Sequence, residues 1–332
     1  MKKLFLVSND RVWLSIKNYT SNNDLDNIIS CLNKNYNLHL ICRKSKKKLN
    51  FLVKNKFRYC DFGKVPNDKL KVLLISITPY NFFIFIYLKF LKRFPVEGFV
   101  YLRSDGFLEY KYRYGFIGYF IYFLMFLVIK KNLKIISCSK NFTNVNIKKI
   151  VHPSELDFRW FRKNNQKRYK SDLLYVGRFK KDKGAIYLAE LFKNYMPDYT
   201  LTIAGTEKKF IHKKYYSKNI KYIGSVSNVL KLIDVYDKSQ IFILPSYIEG
   251  FPKVISESLA RLKPVIIFED IKYVIHSRKG IFVCKRNEKS LRKTISYIFK
   301  NYKKIQKQIK NNYFFTKKNF MEELVDSIKS WA

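Results

Sequence analysis

One stretch constrains this chain more than any other: Gln240 to Pro264, QIFILPSYIEGFPKVISESLARLKP. The continuous apolar run Ile241–Leu244 predicts a strand buried on both faces, as in a parallel sheet. Pro245-Ser246 and Glu249-Gly250-Phe251-Pro252 then make a turn-rich loop. Val254, Ile255, Leu259 and Leu262 fall at helical spacing, predicting a helix from about Lys253 that Pro264 stops. Val265–Phe268 predicts the next strand. Glu249 therefore sits on the loop before the helix, and Glu257 roughly one turn inside it. Helix amides at such a junction point towards the loop, which is where an open α/β sheet binds phosphorylated ligands.

A chain of 332 residues predicts two domains with adequate cores. Mean hydropathy of −0.24 argues against a multi-span membrane protein. Charge is the anomaly, with 66 Lys+Arg against 25 Asp+Glu and a net +41. Nucleic acid, an anionic membrane and an anionic substrate are all candidate partners. An AT-rich genome would enrich Lys together with Asn, Ile, Tyr and Phe. It would enrich Glu and Asp as well, so it explains the lysines better than the missing acids. The five cysteines show no CxxC and the four histidines no HxxxH. No metal site and no disulfide framework is expected, and a reducing cytoplasm is the default. Leu4–Val7, after Met1-Lys2-Lys3, is too short for a signal-peptide core and is expected to be the first strand.

The first half predicts strands at Leu4–Val7, Leu38–Cys42, Lys71–Ile77, Gly98–Leu102 and Ile135–Ser137, with a helix over Leu25–Leu32. Tyr80–Phe94 is helical in pattern, with Lys89, Lys92 and Arg93 on one stripe. Phe116–Ile129 carries no charge; Lys111 and Arg113 flank one end, and Lys130, Lys131 and Lys134 the other. At ~21 Å of helix it falls short of a ~30 Å hydrocarbon core. Two readings remain for it, a buried core helix or an element dipping into one leaflet inside a basic and aromatic collar. Ser154–Lys170 is polar enough for a linker. The βα rhythm restarts at Leu173–Val176. Helix Ala185–Tyr195, strands Leu201–Ala204 and Tyr222-Ile223, helix Val229–Tyr236, strand Ile281–Cys284 and a Lys-rich helical tail from Ser290 complete it. Strands alternating with helices in both halves predict two doubly wound α/β domains.

Gly177-Arg178 and Lys183-Gly184 place two cations and two flexible residues on one βα loop. Backbone amides and a bidentate Arg178 there suit a diphosphate, although a solvated surface loop has the same composition. The segments LLYVGRFKKDKG (Leu173–Gly184), LTIAGT (Leu201–Thr206), YIGSVS (Tyr222–Ser227), ILPSYIEGFPKVISESLARLKPVI (Ile243–Ile266) and GIFV (Gly280–Val283) come in a fixed order and spacing. In these segments, over roughly 170–310, the chain resembles the GT-B fold glycosyltransferases, specifically retaining glycosyltransferase family 4. The amino-terminal half resembles them only loosely.

The resemblance implies a GT-B fold, two doubly wound Rossmann-like domains facing a central cleft. Together with the run of elements and the two aromatic, lysine-flanked helices, the expected division is an acceptor-binding and membrane-docking domain over 1–152, a linker over 153–170, a nucleotide-sugar donor domain over 171–312, and a C-terminal helix over 313–332 crossing back. Arg178 and Lys183 would grip the donor diphosphate, Glu257 the ribose hydroxyls and Glu249 the donor sugar. Amides around Phe251, Pro252, Lys253 and Val254 would line the phosphate–sugar junction. Gly177, Gly205 and the loop to Val226 would border the nucleotide. No metal and no cofactor is implied, since cation clamps act where charge develops on the leaving group. Asp105, at a strand end beside Arg103, is the acceptor-side catalytic candidate, with a turn-forming Asp-Gly as the plainer reading. Two departures stand out: the first βα loop, Ser8-Asn9-Asp10-Arg11, lacks a glycine pair, and no clear His-Asp pair is present. Asp24-Leu25-Asp26 spells a metal-binding DxD but lies in a predicted helix, where it is a coincidence.

The expected activity is metal-independent, retaining transfer of a sugar from a nucleotide donor to a lipid-borne or surface-glycan acceptor such as lipopolysaccharide or capsule. The enzyme is expected in the cytoplasm, peripheral on the inner face of the membrane. Two rivals stay open: a basic nucleic-acid-binding protein, motivated by the charge, and a catalytically idle membrane scaffold. No recognised nucleic-acid motif supports the first.

Overall fold

The computed structural model describes residues 2–20, 24–66, 69–140, 142, 149–161 and 172–329. The chain divides into two compact units, Met1–Pro153 with Lys318–Ala332, and Ser154–Lys317. Part of the expected linker, 162–170, lies outside the described residues.

The first unit runs β1 (Lys2–Trp13), β2 (Tyr19–Thr20), α1 (Asp24–Leu32), β3 (Tyr36–Lys44), β4 (Phe51–Leu52), β5 (Arg58–Tyr59), β6 (Leu70–Ile75), α2 (Pro79–Ile86), β7 (Val96–Leu102), α3 (Gly106–Asn132), β8 (Lys134–Ser137) and β9 (Lys149–Ile150). Its parallel strands lie in the order β5-β3-β1-β6-β7-β8-β9. β2 and β4 add on antiparallel beyond the end of β1. Apolar runs such as Leu4–Val7 and Val72–Ile75 are buried because helices cover both faces of a parallel sheet.

Three of these elements in the first unit depart from the sequence expectation. β1 does not turn after Val7; it continues to Trp13 through a bulge between Ser8 and Arg11. The Ser8 hydroxyl donates to Asp10 Oδ2 at 2.8 Å and accepts the Asp10 amide at 3.2 Å. The polar run thus satisfies itself locally, and Val12 and Trp13 resume pairing. The Tyr80–Phe94 pattern splits into α2 and a π-helical turn, Tyr87–Leu91, and the chain leaves through Arg93 at φ 56°. α3 begins well before Phe116, with Asp105 as its N-cap, and breaks at Gly115, whose φ of 65° no helix accommodates.

The second unit contains α4 (Phe158–Phe161), β10 (Asp172–Val176), α5 (Ala185–Tyr195), β11 (Thr200–Ala204), β12 (Ile220–Tyr222), α6 (Val229–Asp237), β13 (Ile241–Leu244), α7 (Lys253–Ala260), β14 (Val265–Phe268), β15 (Ile281–Cys284), α8 (Glu288–Lys300) and α9 (Tyr302–Ile309). Among the described residues its six strands are all parallel, in the order β12-β11-β10-β13-β14-β15. Counted from β10, that is the 3-2-1-4-5-6 arrangement of a dinucleotide fold. Leu188 and Phe192 of α5, Ile255 and Leu259 of α7 and Ile295 and Ile298 of α8 close its core. α7 stops earlier than expected, because Leu262 adopts a left-handed φ of 57° before Pro264. A buried fork, Arg261 to both Asp237 oxygens at 2.8 and 2.7 Å, ties α7 to α6, while Arg261 Nη1 donates to the Trp160 carbonyl.

α10 (Lys317–Lys329) packs on the first unit. Phe320 lies against Tyr101, Glu323 accepts the His152 amide at 2.7 Å, and the Cys31 thiol donates to the Met321 carbonyl.

Candidate active site

Strand order in the second unit reverses between β10 and β13, and loops leaving the carboxyl ends of those strands form the crevice of such a sheet. Three strand ends are stitched together there by glycine backbones. Gly177 N–H donates to the Ala204 carbonyl at 2.8 Å, and Gly205 N–H to the Gly224 carbonyl at 2.7 Å. Gly205 has φ 110°, and a Cβ on it would fall 2.5 Å from the Gly177 oxygen. Gly184 opens α5 at φ 64°, where a Cβ would lie 1.8 Å from the Pro245 carbonyl oxygen. Only glycine lets the β10–α5 and β13–α7 loops approach this closely. Their contact is sealed by the Tyr247 amide donating to the Asp182 carbonyl at 3.1 Å.

On that frame Lys183 Nζ donates to Glu249 Oε1 at 2.9 Å, and the Ser246 hydroxyl donates to the same oxygen at 2.6 Å. Tyr273 fixes the backbone of Glu249 from both sides, its hydroxyl accepting the amide at 3.1 Å and donating to the carbonyl at 2.8 Å. Arg178 leaves the first loop, its own carbonyl held by the Tyr175 hydroxyl at 2.9 Å. Pro252 is the N-cap of α7 and makes no side-chain cap bond; having no N–H, it leaves the amides of Lys253 and Val254 to define that helix end. Phe251 stacks on His276 with ring centroids 6.1 Å apart, and the Arg278 guanidinium lies 5.8 Å from the same ring.

Glu257, inside α7, is buried and accepts the Tyr236 hydroxyl at 2.8 Å. Burial pushes its carboxyl up to about 7, and the nearby Glu155 carboxylate adds to that. The Lys253 ammonium and the Tyr236 bond oppose the rise. Lys253 itself pairs with Glu155. Gly177, Arg178, Lys183, Gly205, Glu249, Phe251, Pro252, Lys253 and Val254 thus occupy loops or helix starts at the carboxyl edge of one sheet, and Glu257 lies one turn further into α7. Val226 lies half-buried on the loop after β12, where the Ser225 amide donates to Glu207 at 2.9 Å.

Asp105 belongs to the first unit. Its buried carboxylate accepts the Leu108 amide at 3.2 Å as the N-cap of α3, and its neighbour Arg103 pairs with Asp24. Asp26 accepts the amides of Lys54 and Asn55, each at 3.0 Å. Both acids of the DxD run are therefore committed to structure, on separate partners. Among the described residues no three His, Cys, Asp or Glu side chains converge in a manner that would hold a metal. A cavity of about 1000 Å³ in the same unit involves Tyr36, Lys54, Lys56 and Arg58. Its lining runs from Ile16, Lys17 and Asn18, past the carboxyl end of β1, to Tyr36, Asn37 and Leu38 at the start of β3, so it belongs to neither edge of the sheet alone.

Sequence reasoning missed Arg286, Tyr273 and Tyr236. Arg286 follows β15 and donates to the Pro245 carbonyl at 2.9 Å and the Ser246 carbonyl at 3.3 Å. Asp270 orients it, and Tyr247 stacks on it at 3.9 Å. A cation just past a strand's carboxyl end was the available signal. The two tyrosines carried none, because a phenol on a helical stripe reads as core.

Residues 157–314 match the family model described as Glycosyl transferases group 1. An uncharacterized glycosyltransferase of Haemophilus influenzae is 29% identical over 159 residues, 45% of this chain and 44% of that protein. The capsular polysaccharide biosynthesis glycosyltransferase CapH of Staphylococcus aureus is 31% identical over 106 residues, 28% of this chain and 29% of that one. The match thus spans less than half the length of these curated relatives. Among solved structures, sucrose-phosphate synthase from Thermosynechococcus elongatus superposes with a TM-score of 0.73 at 13% identity, covering 100% of this chain and 99% of that one. That likeness shows the fold, GT-B with its two Rossmann-like domains.

Proposed function

Because residues 157–314 match the family model of the glycosyl transferases group 1, we propose that this chain moves a sugar from a nucleotide-sugar donor to a lipid-linked or glycan acceptor, in synthesis of a capsule- or lipopolysaccharide-type polysaccharide. The observation that carries the reading is the Lys183–Glu249–Ser246 cluster, built where the strand order reverses and beside the N-terminus of α7. A diphosphate entering there meets Lys183, Arg178 and the first amides of α7. Charge that builds on the leaving diphosphate as the glycosyl bond breaks is offset by these fixed donors, so the reaction needs no metal. Glu257 accepts the ribose hydroxyls, and Glu249, its backbone clamped by Tyr273, meets the donor sugar. The sugar leaves with its anomeric configuration retained. CapH, by its name a capsule enzyme, supports a surface glycan as the product class. We place the enzyme on the cytoplasmic face of the membrane that carries such acceptors.

A thermal-shift screen of UDP-, GDP- and ADP-sugars tests the donor half. A true donor at a hundredfold excess over its Kd stabilises the fold by about 2.7 kcal/mol. The product's anomeric configuration by NMR, with and without EDTA, then tests retention and metal independence. A protein that no nucleotide sugar stabilises would sink the reading.

A further inference from the structure

The outer face of α3 is unaccounted for by glycosyl transfer. After the break at Gly115, Gly118, Tyr122, Met125, Phe126 and Ile129 turn inward and are buried in the first unit. The opposite stripe is just as apolar and lies in the open: Phe116 is 78% exposed, Ile117 72%, Phe120 51%, Ile121 47% and Leu124 47%. The spacing i, i+1, i+4, i+5, i+8 makes these one continuous ridge. Soluble surfaces rarely carry such a ridge without a use for it. Both its ends are basic, with Lys111 and Arg113 before it and Lys130, Lys131 and Lys134 after it, all exposed. The preceding crossover repeats the theme: Leu91 is 67% exposed, Phe83 53% and Phe90 48%, beside Lys89 and Lys92. β6, β7 and β8 are neighbours in order, so right-handed crossovers put α2 and α3 on the same face of the sheet.

We propose that this ridge docks flat into one leaflet of an anionic membrane, with the basic ends on lipid phosphates. Charge selects the occupant. A second copy packed ridge to ridge would bring cations against cations in either direction, because both ends carry the same sign. An anionic headgroup layer neutralises both ends at once. Flat docking follows from packing. The whole of α3, Gly106–Asn132, is long and apolar enough to cross a membrane. Its inward stripe is already committed to the core, however, and the piece after Gly115 reaches only about 25 Å against a ~30 Å hydrocarbon layer. A ridge of this kind enters the headgroup–acyl boundary and goes no deeper. This inference concerns where the protein sits and stands on α3, not on the identity of any donor.

The test uses the full chain with vesicles of phosphatidylcholine, with and without phosphatidylglycerol. The expected result is flotation with the anionic vesicles and release by alkaline carbonate. Phe116→Ser/Ile117→Ser/Phe120→Ser should lower the partition coefficient at least about tenfold, with melting unchanged. The indole introduced by Phe120→Trp, on an otherwise intact ridge, should be quenched by lipids brominated on their acyl chains. Equal flotation of the triple variant, or an unquenched indole on bound protein, overturns the proposal. Retention after carbonate overturns flat docking in favour of crossing. Loss of a concentration-dependent dimer in the triple variant, without flotation of the parent, assigns the ridge to a second copy instead. The donor thermal shift in the same samples keeps failure here separate from failure of the transferase reading.

Discussion

The two units share one architecture and differ most at the same topological place. In the second, β10 stops at Val176 and Gly177 turns the chain, so a loop of cations and glycines opens at the reversal of strand order. In the first, the reversal lies between β1 and β6, yet β1 runs on to Trp13 through its bulge and pairs with β2 and β3. There strand fills the place where a phosphate loop would stand. Asp105, at the next-but-one strand end, closes the start of α3 as a cap. On the proposed reading, one sheet spends its carboxyl edge on the donor and the other on its own pairing and capping, as one fold can hold different functions.

The sharpest way to break this contrast is to remove the cation from the loop that only the second unit has. Lys183→Ala takes away the Nζ that meets Glu249, leaving Ser246 and Tyr273 to hold that residue. Loss of one preorganised charge of this kind should lower kcat/KM about 10²–10³-fold. Steady-state kinetics with the donor chosen by the screen checks it, and melting close to that of the parent shows the fold is intact. Gly184→Ala comes next. Its Cβ would meet the Pro245 oxygen at 1.8 Å in a left-handed conformation, so the two loops must part. Donor Kd should rise roughly ten- to a hundredfold, since strain of ~1–3 kcal/mol falls on the bound geometry; calorimetry reads it.

Much of this site was legible because its chemistry needs particular residues on particular turns. Gly177, Gly184, Lys183, Glu249 and Glu257 fall on strand–loop–helix junctions that hydrophobic runs alone delimit. The second sheet was legible for the same reason, each strand being a short apolar block between turn residues. In the first unit local pattern gave less. Ser8–Arg11 looks like a loop, and pairing of Ser8 and Arg11 with β3, followed by Val12 and Trp13 on β2, draws it into a strand. Gly115 looks ordinary in a run of aromatics, yet its φ of 65° decides where the exposed ridge begins. Arg286 and Tyr273 act on backbone atoms far away in sequence, a relation that no spacing encodes.

Glu257 tests the second unit by pH. Its folded value, about 7, lies above the ordinary 4.5, so its contribution to folding is complete below about 4.5 and is lost as pH rises through about 7. Above that, the native state holds an ionised carboxylate in a buried site. Glu257→Gln removes the charge and keeps an acceptor for Tyr236. It should therefore be the more stable protein at about pH 8, by ~1–3 kcal/mol, with the gap closing towards about pH 5. Its donor affinity should fall, because a neutral amide is a poorer acceptor for ribose hydroxyls. Denaturant melts at the two pH values read the first effect and nucleotide titration the second.

The smallest effect is expected on the other side of the contrast, at Asp105. As a cap it accepts the Leu108 amide, and its removal should cost the first unit about 1 kcal/mol. Asp105→Ala should lower the melting temperature by a few degrees, and Asp105→Asn, which caps equally well, should not. Transfer by the Asn variant should stay within a few-fold of the parent, because the carboxylate's described work is to hold a helix end. A loss of about a hundredfold or more in the Asn variant, with melting unchanged, would give the acid a part in the chemistry. The first unit's carboxyl edge would then be a working edge as well, and the division of labour between the two sheets would have to be redrawn.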